Sequence, residues 1–98
     1  MGSEAAYRRP VIVVQCDGVN RSRIATVVCV PLTSNPRWAN APGNMLLDAG
    51  STGLTKDSVA NVSLILSIDK AQLTDRIGRI SSRQLETLLT GIDVILGH

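Results

Sequence analysis

Two β-branched apolar runs, Arg9–Cys16 (RPVIVVQC) and Ile24–Leu32 (IATVVCVPL), flank the polar stretch Asp17–Arg23. Runs of this composition with turn-forming residues between them predict two strands joined by a hairpin-like loop. Asp17, Gly18 and Asn20 tolerate positive φ, and such a loop projects Arg21 and Arg23 into solvent. Proline cannot donate to a ladder, so the second strand is expected to end at Pro31 or just beyond. Residues 34–43 (SNPRWANAPG) then predict a long polar loop, of a length that small domains keep for functional or mobile segments.

A short strand over Asn44–Leu47 and a Gly/Ser/Thr segment over 48–56 follow. From Ser58 the alternation of Ala60, Val62, Leu64, Leu66 and Ile68 predicts one strand with that face buried. A helical turn is expected near 69–73, and a short strand over Arg76–Ile80 with Gly78 as a bulge. Ser81 followed by Gln84 forms a capping box, and Leu85, Leu88, Leu89, Ile92, Ile95 and Leu96 recur at helical spacing. Gly91 inside this helix costs about 1 kcal/mol against Ala, tolerable where it lets a neighbour approach closely, and Gly97 stands where a C′ glycine would. The sum predicts one α+β domain over residues 1–98, a small SH3-like antiparallel β-barrel or curled sheet with a C-terminal α-helix packed on it.

Composition narrows the chemistry. A chain of 98 residues with 44% hydrophobic and 18% charged positions folds around a single core and is not disordered. Tyr7 and Trp38 are its only aromatic residues, too few for a reader that stacks successive bases. With His98 the one histidine and Cys16 and Cys29 the only cysteines, neither zinc-ligand spacing nor a histidine-centred site can be assembled, and no metal or cofactor is expected. Both cysteines lie inside apolar runs, which predicts free, buried, inert thiols in a reducing compartment. The first ten residues hold no apolar signal core and no run approaches the roughly 18 residues of a membrane span, so a cytoplasmic protein with no membrane association is expected. Net charge is only +2, yet Arg8, Arg9, Arg21, Arg23 and Arg37 face just Glu4 and Asp17 between residues 3 and 37. That imbalance suits a polyanion as well as it suits a solvated basic face.

Three blocks in order carry a resemblance: Gly2-Ser3-Glu4 with Arg9-Pro10-Val11-Ile12-Val13-Val14, then Val30-Pro31-Leu32-Thr33-Ser34-Asn35, then Asp57-Ser58-Val59 with Ile68-Asp69-Lys70. From about Gly2 to about Leu96 the chain resembles the MazF/PemK family of toxin endoribonucleases. The resemblance implies a homodimeric toxin of a type II toxin–antitoxin pair that cuts single-stranded RNA at short sequences without metal, and an antitoxin peptide that lies across the RNA groove. Two departures stand out. Family members begin with a strand of the Gly-Asp-Ile-Trp type ahead of the Gly-Ser-Glu turn, whereas this sequence starts at the turn, so the first family strand is expected to be missing and an edge to be left unpaired. Leu64 stands where the family often carries a Gln that faces RNA.

RNA brings its own nucleophile, the 2′-OH, so a protein need only remove its proton, stabilise the charge developing on phosphorus and protonate the leaving 5′-oxygen. Arg9, beside a rigid proline at the mouth of a strand, suits the phosphorane oxygens, and the resemblance adds assistance to proton transfer and places a catalytic threonine at Thr33; the bland readings are an edge arginine neutralising Glu4 or Asp17, and a turn-forming hydroxyl pair with Ser34. Ser34 and Asn35 are secondary candidates for RNA contact. By resemblance Ser3 and Glu4 form the loop facing this site, with Glu4 as general base or as a partner orienting Arg9; an N-terminal carboxylate is otherwise simply solvated. Arg21, Arg23, Arg37 and Trp38 are expected on the two loops flanking the groove, the arginines on phosphates and Trp38 on a base, with Tyr7 and Arg8 as weaker candidates. Two alternatives remain at this point: a non-catalytic binder of the gyrase-inhibitor CcdB kind, whose C-terminal Trp-Gly-Ile is here Leu96-Gly97-His98, and an inactive relic or antitoxin-binding decoy.

Overall fold

The computed structural model describes residues 9–73 and 75–97. Five strands, β1 (Val11–Val13), β2 (Thr26–Thr33), β3 (Met45–Leu47), β4 (Ser58–Ala60) and β5 (Leu66–Asp69), form one antiparallel sheet curled around β2. Short helices α1 (Asp17–Asn20) and α2 (Ala49–Thr52) sit in connections, and α3 (Ser82–Leu96) closes the core. β2 is the shared element: one edge pairs with β1, the other with β5 over Thr26–Cys29 and then with β4 over Leu32–Thr33. The result is the curled sheet with a terminal helix that the pattern predicts.

β2 ends just beyond Pro31, at Thr33, as expected, and Pro31 itself is still paired, opposite Val11. The neighbouring Leu32 amide bonds toward β1, to the Pro10 carbonyl at 3.0 Å, so residue 31 points its backbone groups at the other edge. There its carbonyl accepts from Asn61 at 3.0 Å, and the absent N–H falls where pairing passes from β5 to β4. A donor missing at that handover interrupts no ladder.

The handover also overturns the expected single strand over 58–69. Ala60 faces Leu32 and Leu66 faces Cys29, six steps along one chain against three along β2. The three extra residues are taken up around a 3₁₀ turn, Val62–Leu64. An odd offset inverts the faces of everything beyond it. Ala60 and Val62 are therefore buried in the core, while Leu64 and Leu66 are exposed and Ile65 packs inward instead.

Three further expectations are corrected. The polar stretch after β1 is not an open loop: Asp17–Asn20 forms one helical turn, with Asn20 N–H on Cys16 O at 3.0 Å and the Gln15 and Asn20 side chains bonded to each other. Arg76–Ile80 is irregular chain with no strand, its Gly78 set against the Thr52 carbonyl. Cys29 is buried as expected, and burial pushes its thiol pKa up, but Cys16 is exposed as the residue preceding α1.

The core is Ile12, Val30, Leu32, Leu47, Ala60, Val62 and Leu88. Ser81 caps α3 through the Gln84 amide at 3.0 Å while the Gln84 side chain accepts from Ser81 N–H at 2.7 Å, and Gly97 ends it in the left-handed region. Of the apolar stripe, Leu88 is buried, Leu85 and Ile92 half-buried, and Leu89, Ile95 and Leu96 exposed. Gly91 meets Gly43 backbone to backbone: a Cβ on Gly91 would lie 2.1 Å from the Gly43 carbonyl oxygen. Close approach is thus what the glycine supplies, and it fastens the end of the 34–43 loop to the helix. Among the described residues no helix is long and apolar enough to cross a membrane.

Candidate functional site

The paired ends of β1 and β2 bring Arg9 and Pro10 beside Leu32 and Thr33, and β4 runs along the other edge with Val59 opposite Thr33. This register opens an irregular cleft of about 490 Å³ lined by Arg9 from just ahead of β1, by Thr33, Ser34 and Asn35 from the end of β2, and by Leu54, Thr55, Lys56 and Ser58 from the stretch leading into β4. Each polar group is placed by local structure. The Asn35 amide donates to Thr33 Oγ1 at 3.2 Å, and Asn35 Oδ1 accepts from the Arg37 amide at 3.1 Å to start a 3₁₀ turn, Pro36–Asn40. On the second stretch the Asp57 carboxylate accepts from Ala49 N–H at 2.8 Å and Ser58 Oγ donates to the Lys56 carbonyl at 3.1 Å. Asp57 is thereby committed to the start of α2, and among the described residues no carboxylate lines the cleft.

The cleft unites four of the residues singled out from the sequence, Arg9, Thr33, Ser34 and Asn35. Arg37 and Trp38 lie one turn farther on, outside the lining but on the same loop. The Arg37 guanidinium stands 5.6 Å from the centre of the Trp38 ring, which keeps 43% of its surface exposed, so the pair offers an open aromatic face with a cation against it. The Asn44 side chain anchors this loop, donating to the Trp38 carbonyl at 2.9 Å and accepting from Val62 N–H at 3.0 Å.

Arg21 and Arg23 do not flank the cleft within this chain. They follow α1, at the end of β2 remote from Thr33, and the eight residues of β2 set the two ends about 23 Å apart. Ser3 and Glu4, with Tyr7 and Arg8, lie outside the described residues. Leu64 sits exposed in the 3₁₀ turn between β4 and β5 and does not line the cleft. Sequence reasoning missed Lys56 and Thr55; their one visible signal was a cation directly ahead of the Asp57-Ser58 strand start.

Arginine, lysine and three or more hydroxyl or amide donors around one cleft suit an anionic backbone, and a hydroxyl beside a guanidinium suits charge developing on a phosphate. The comparisons with known proteins agree in kind. A family model described as PemK-like, MazF-like toxin of type II toxin–antitoxin system matches residues 1–96. Endoribonuclease MazF6 of Mycobacterium tuberculosis is 43% identical over 95 residues, covering 97% of this chain and 83% of that protein. Among solved structures, the Mycobacterium tuberculosis toxin MazF-mt6 superposes with a TM-score of 0.81 over 91% of this chain and 86% of that one, at 24% identity. A mycobacterial endoribonuclease in complex with its cognate antitoxin superposes with a TM-score of 0.78 over 91% of this chain and 81% of that one, at 27% identity.

Proposed function

Because the chain belongs to the PemK-like, MazF-like toxins of type II toxin–antitoxin systems, we propose that it cuts single-stranded RNA in the Arg9–Thr33 cleft by attack of the 2′-OH on the adjacent phosphorus. The observation that carries this reading is the convergence of Arg9, Thr33, Ser34 and Asn35 on one cleft. As the 2′-O–P bond forms and the P–O5′ bond breaks, the non-bridging oxygens gain charge. Arg9 holds them through its fork, and Thr33, its oxygen already engaged by the Asn35 amide, donates its own hydrogen to them. The 2′ proton passes to a general base, for which Glu4 is the candidate, and Arg9 assists delivery of a proton to the 5′-oxygen as it leaves; a 2′,3′-cyclic phosphate remains. The nucleophile belongs to the substrate, so the reaction calls for no metal.

The same reading extends to partners and setting. Trp38 stacks one base beyond the cut, Arg37 and Ser34 hold the strand beside it, and an antitoxin peptide neutralises the toxin by covering the cleft. The protein works as a cytoplasmic homodimer. The fold also serves non-catalytic binders and would serve an inactive decoy, and one experiment separates these. A long, weakly structured RNA is incubated with the purified protein in EDTA beside Arg9→Ala and Thr33→Ala, and the ends are mapped by primer extension. Discrete cuts in EDTA that vanish in both variants are expected. A folded protein that leaves the RNA intact overturns the nuclease reading in favour of the decoy.

A further inference from the structure

We propose that Lys56 is the second phosphate-holding group of the cleft, gripping a phosphate next to the scissile one while Arg9 and Thr33 act at the scissile one; the assignment rests on the ribonuclease reading above. Lys56 enters the cleft from the 54–58 stretch, a different part of the chain from the one carrying Arg9 and Thr33. A strand lying along the cleft therefore passes two cations supplied from two segments. The base of Lys56 is fixed on its C-terminal side: Ser58, 6% exposed, donates to the Lys56 carbonyl at 3.1 Å, and Asp57 is tied to Ala49 N–H at 2.8 Å. Above that fixed base the side chain is exposed and can follow a polyanion. Asp57 is turned to α2, and no carboxylate is among the described residues that line the cleft. The residue type suits this role as well. A lysine is a point charge that tolerates variable approach, which is enough to position an unreacting phosphate, whereas a planar fork is better spent where phosphorus changes geometry.

Holding a neighbouring phosphate has a signature that a structural role lacks, because each phosphate contact on a single strand displaces counterions. Affinity is measured across a salt series for a single-stranded RNA oligonucleotide, in the Thr33→Ala background so that it stays intact, with Lys56 kept or changed to Gln or Arg. Single-turnover cleavage at saturating RNA is measured for Lys56→Gln alone. Lys56→Gln is expected to weaken binding about three- to tenfold at low salt and to flatten the slope of log K against log salt by about 0.7. Lys56→Arg restores both, and the saturating cleavage rate stays within about threefold of the parent. A slope that Lys56→Gln leaves unchanged overturns the assignment, as does a loss confined to the saturating rate. A parent protein that binds with a Lys56-dependent slope yet cuts no RNA removes the nuclease reading and leaves the contact. One that cuts with a slope indifferent to Lys56 removes the contact and leaves the nuclease.

Discussion

The amide of Asn35 donates to the hydroxyl oxygen of Thr33 at 3.2 Å, so a residue two positions on fixes which way that hydroxyl presents itself. With an acceptor site occupied from within the chain, the hydroxyl's own hydrogen is what it offers to the cleft. Thr33→Ser, which keeps the hydroxyl, is expected to retain most cleavage. Thr33→Val, nearly the same shape without the donor, should lower the single-turnover rate by about 10²–10³-fold at an unchanged melting temperature.

The Gly43–Gly91 contact sets two effects of opposite sign against each other. Helix propensity alone makes Gly91→Ala stabilising by about 1 kcal/mol. The added Cβ, however, would lie 2.1 Å from the Gly43 carbonyl oxygen, a backbone atom that cannot swing aside. Overpacking should dominate, with a net loss of about 1–3 kcal/mol in urea unfolding. A variant more stable than the parent would show that the helix is not seated on this loop.

The reciprocal capping bonds between Ser81 and Gln84 give a third expectation. Ser81→Ala should cost about 1 kcal/mol of stability, and Ser81→Asp, which still accepts from the Gln84 amide, should cost far less. Chemical denaturation of the three proteins side by side measures both.

The two thiols should differ in kind. Cys16 is exposed, whereas Cys29 is buried with its pKa pushed up by that burial, so its thiolate is disfavoured in the fold. An aromatic disulfide reagent at mildly alkaline pH is expected to titrate one thiol quickly in the native protein and the second only after denaturant is added. Substituting Cys16 should abolish the fast phase.

What the sequence made legible, and what it hid, follows from the range of the interactions involved. The two β-branched runs and the capped helix are local signals, and each appears where its pattern places it, though β1 is trimmed to Val11–Val13. Arg9 and Thr33 lie far apart in the chain yet end the two paired runs, so their meeting was already contained in the hairpin. The fate of Leu64 and Leu66 was not: alternation continues unbroken through residues 60–68, and only pairing with β2 reveals the three-residue slip that turns them outward. Arg21 and Arg23 share the basic character of the site, but charge carries no address, and the length of β2 puts them at its far end. Lys56 was hidden for the converse reason. In the sequence it is an ordinary surface lysine, and β4 has to pair with the end of β2 before it lines anything.

The glycine pair also orders events in time. Arg9, Thr33 and Trp38 all precede α3 in the chain, and the loop holding Trp38, tied first through Asn44, gains its second fastening at Gly43 only once Gly91 is in place. Synthesis proceeds from the N-terminus, so a nascent chain carries its cleft residues well before it carries the helix that steadies the loop beside them. A chain made in this order holds its cleft residues and the loop beside them before it holds the helix that completes their setting, so that setting waits on nearly the last residues to be read.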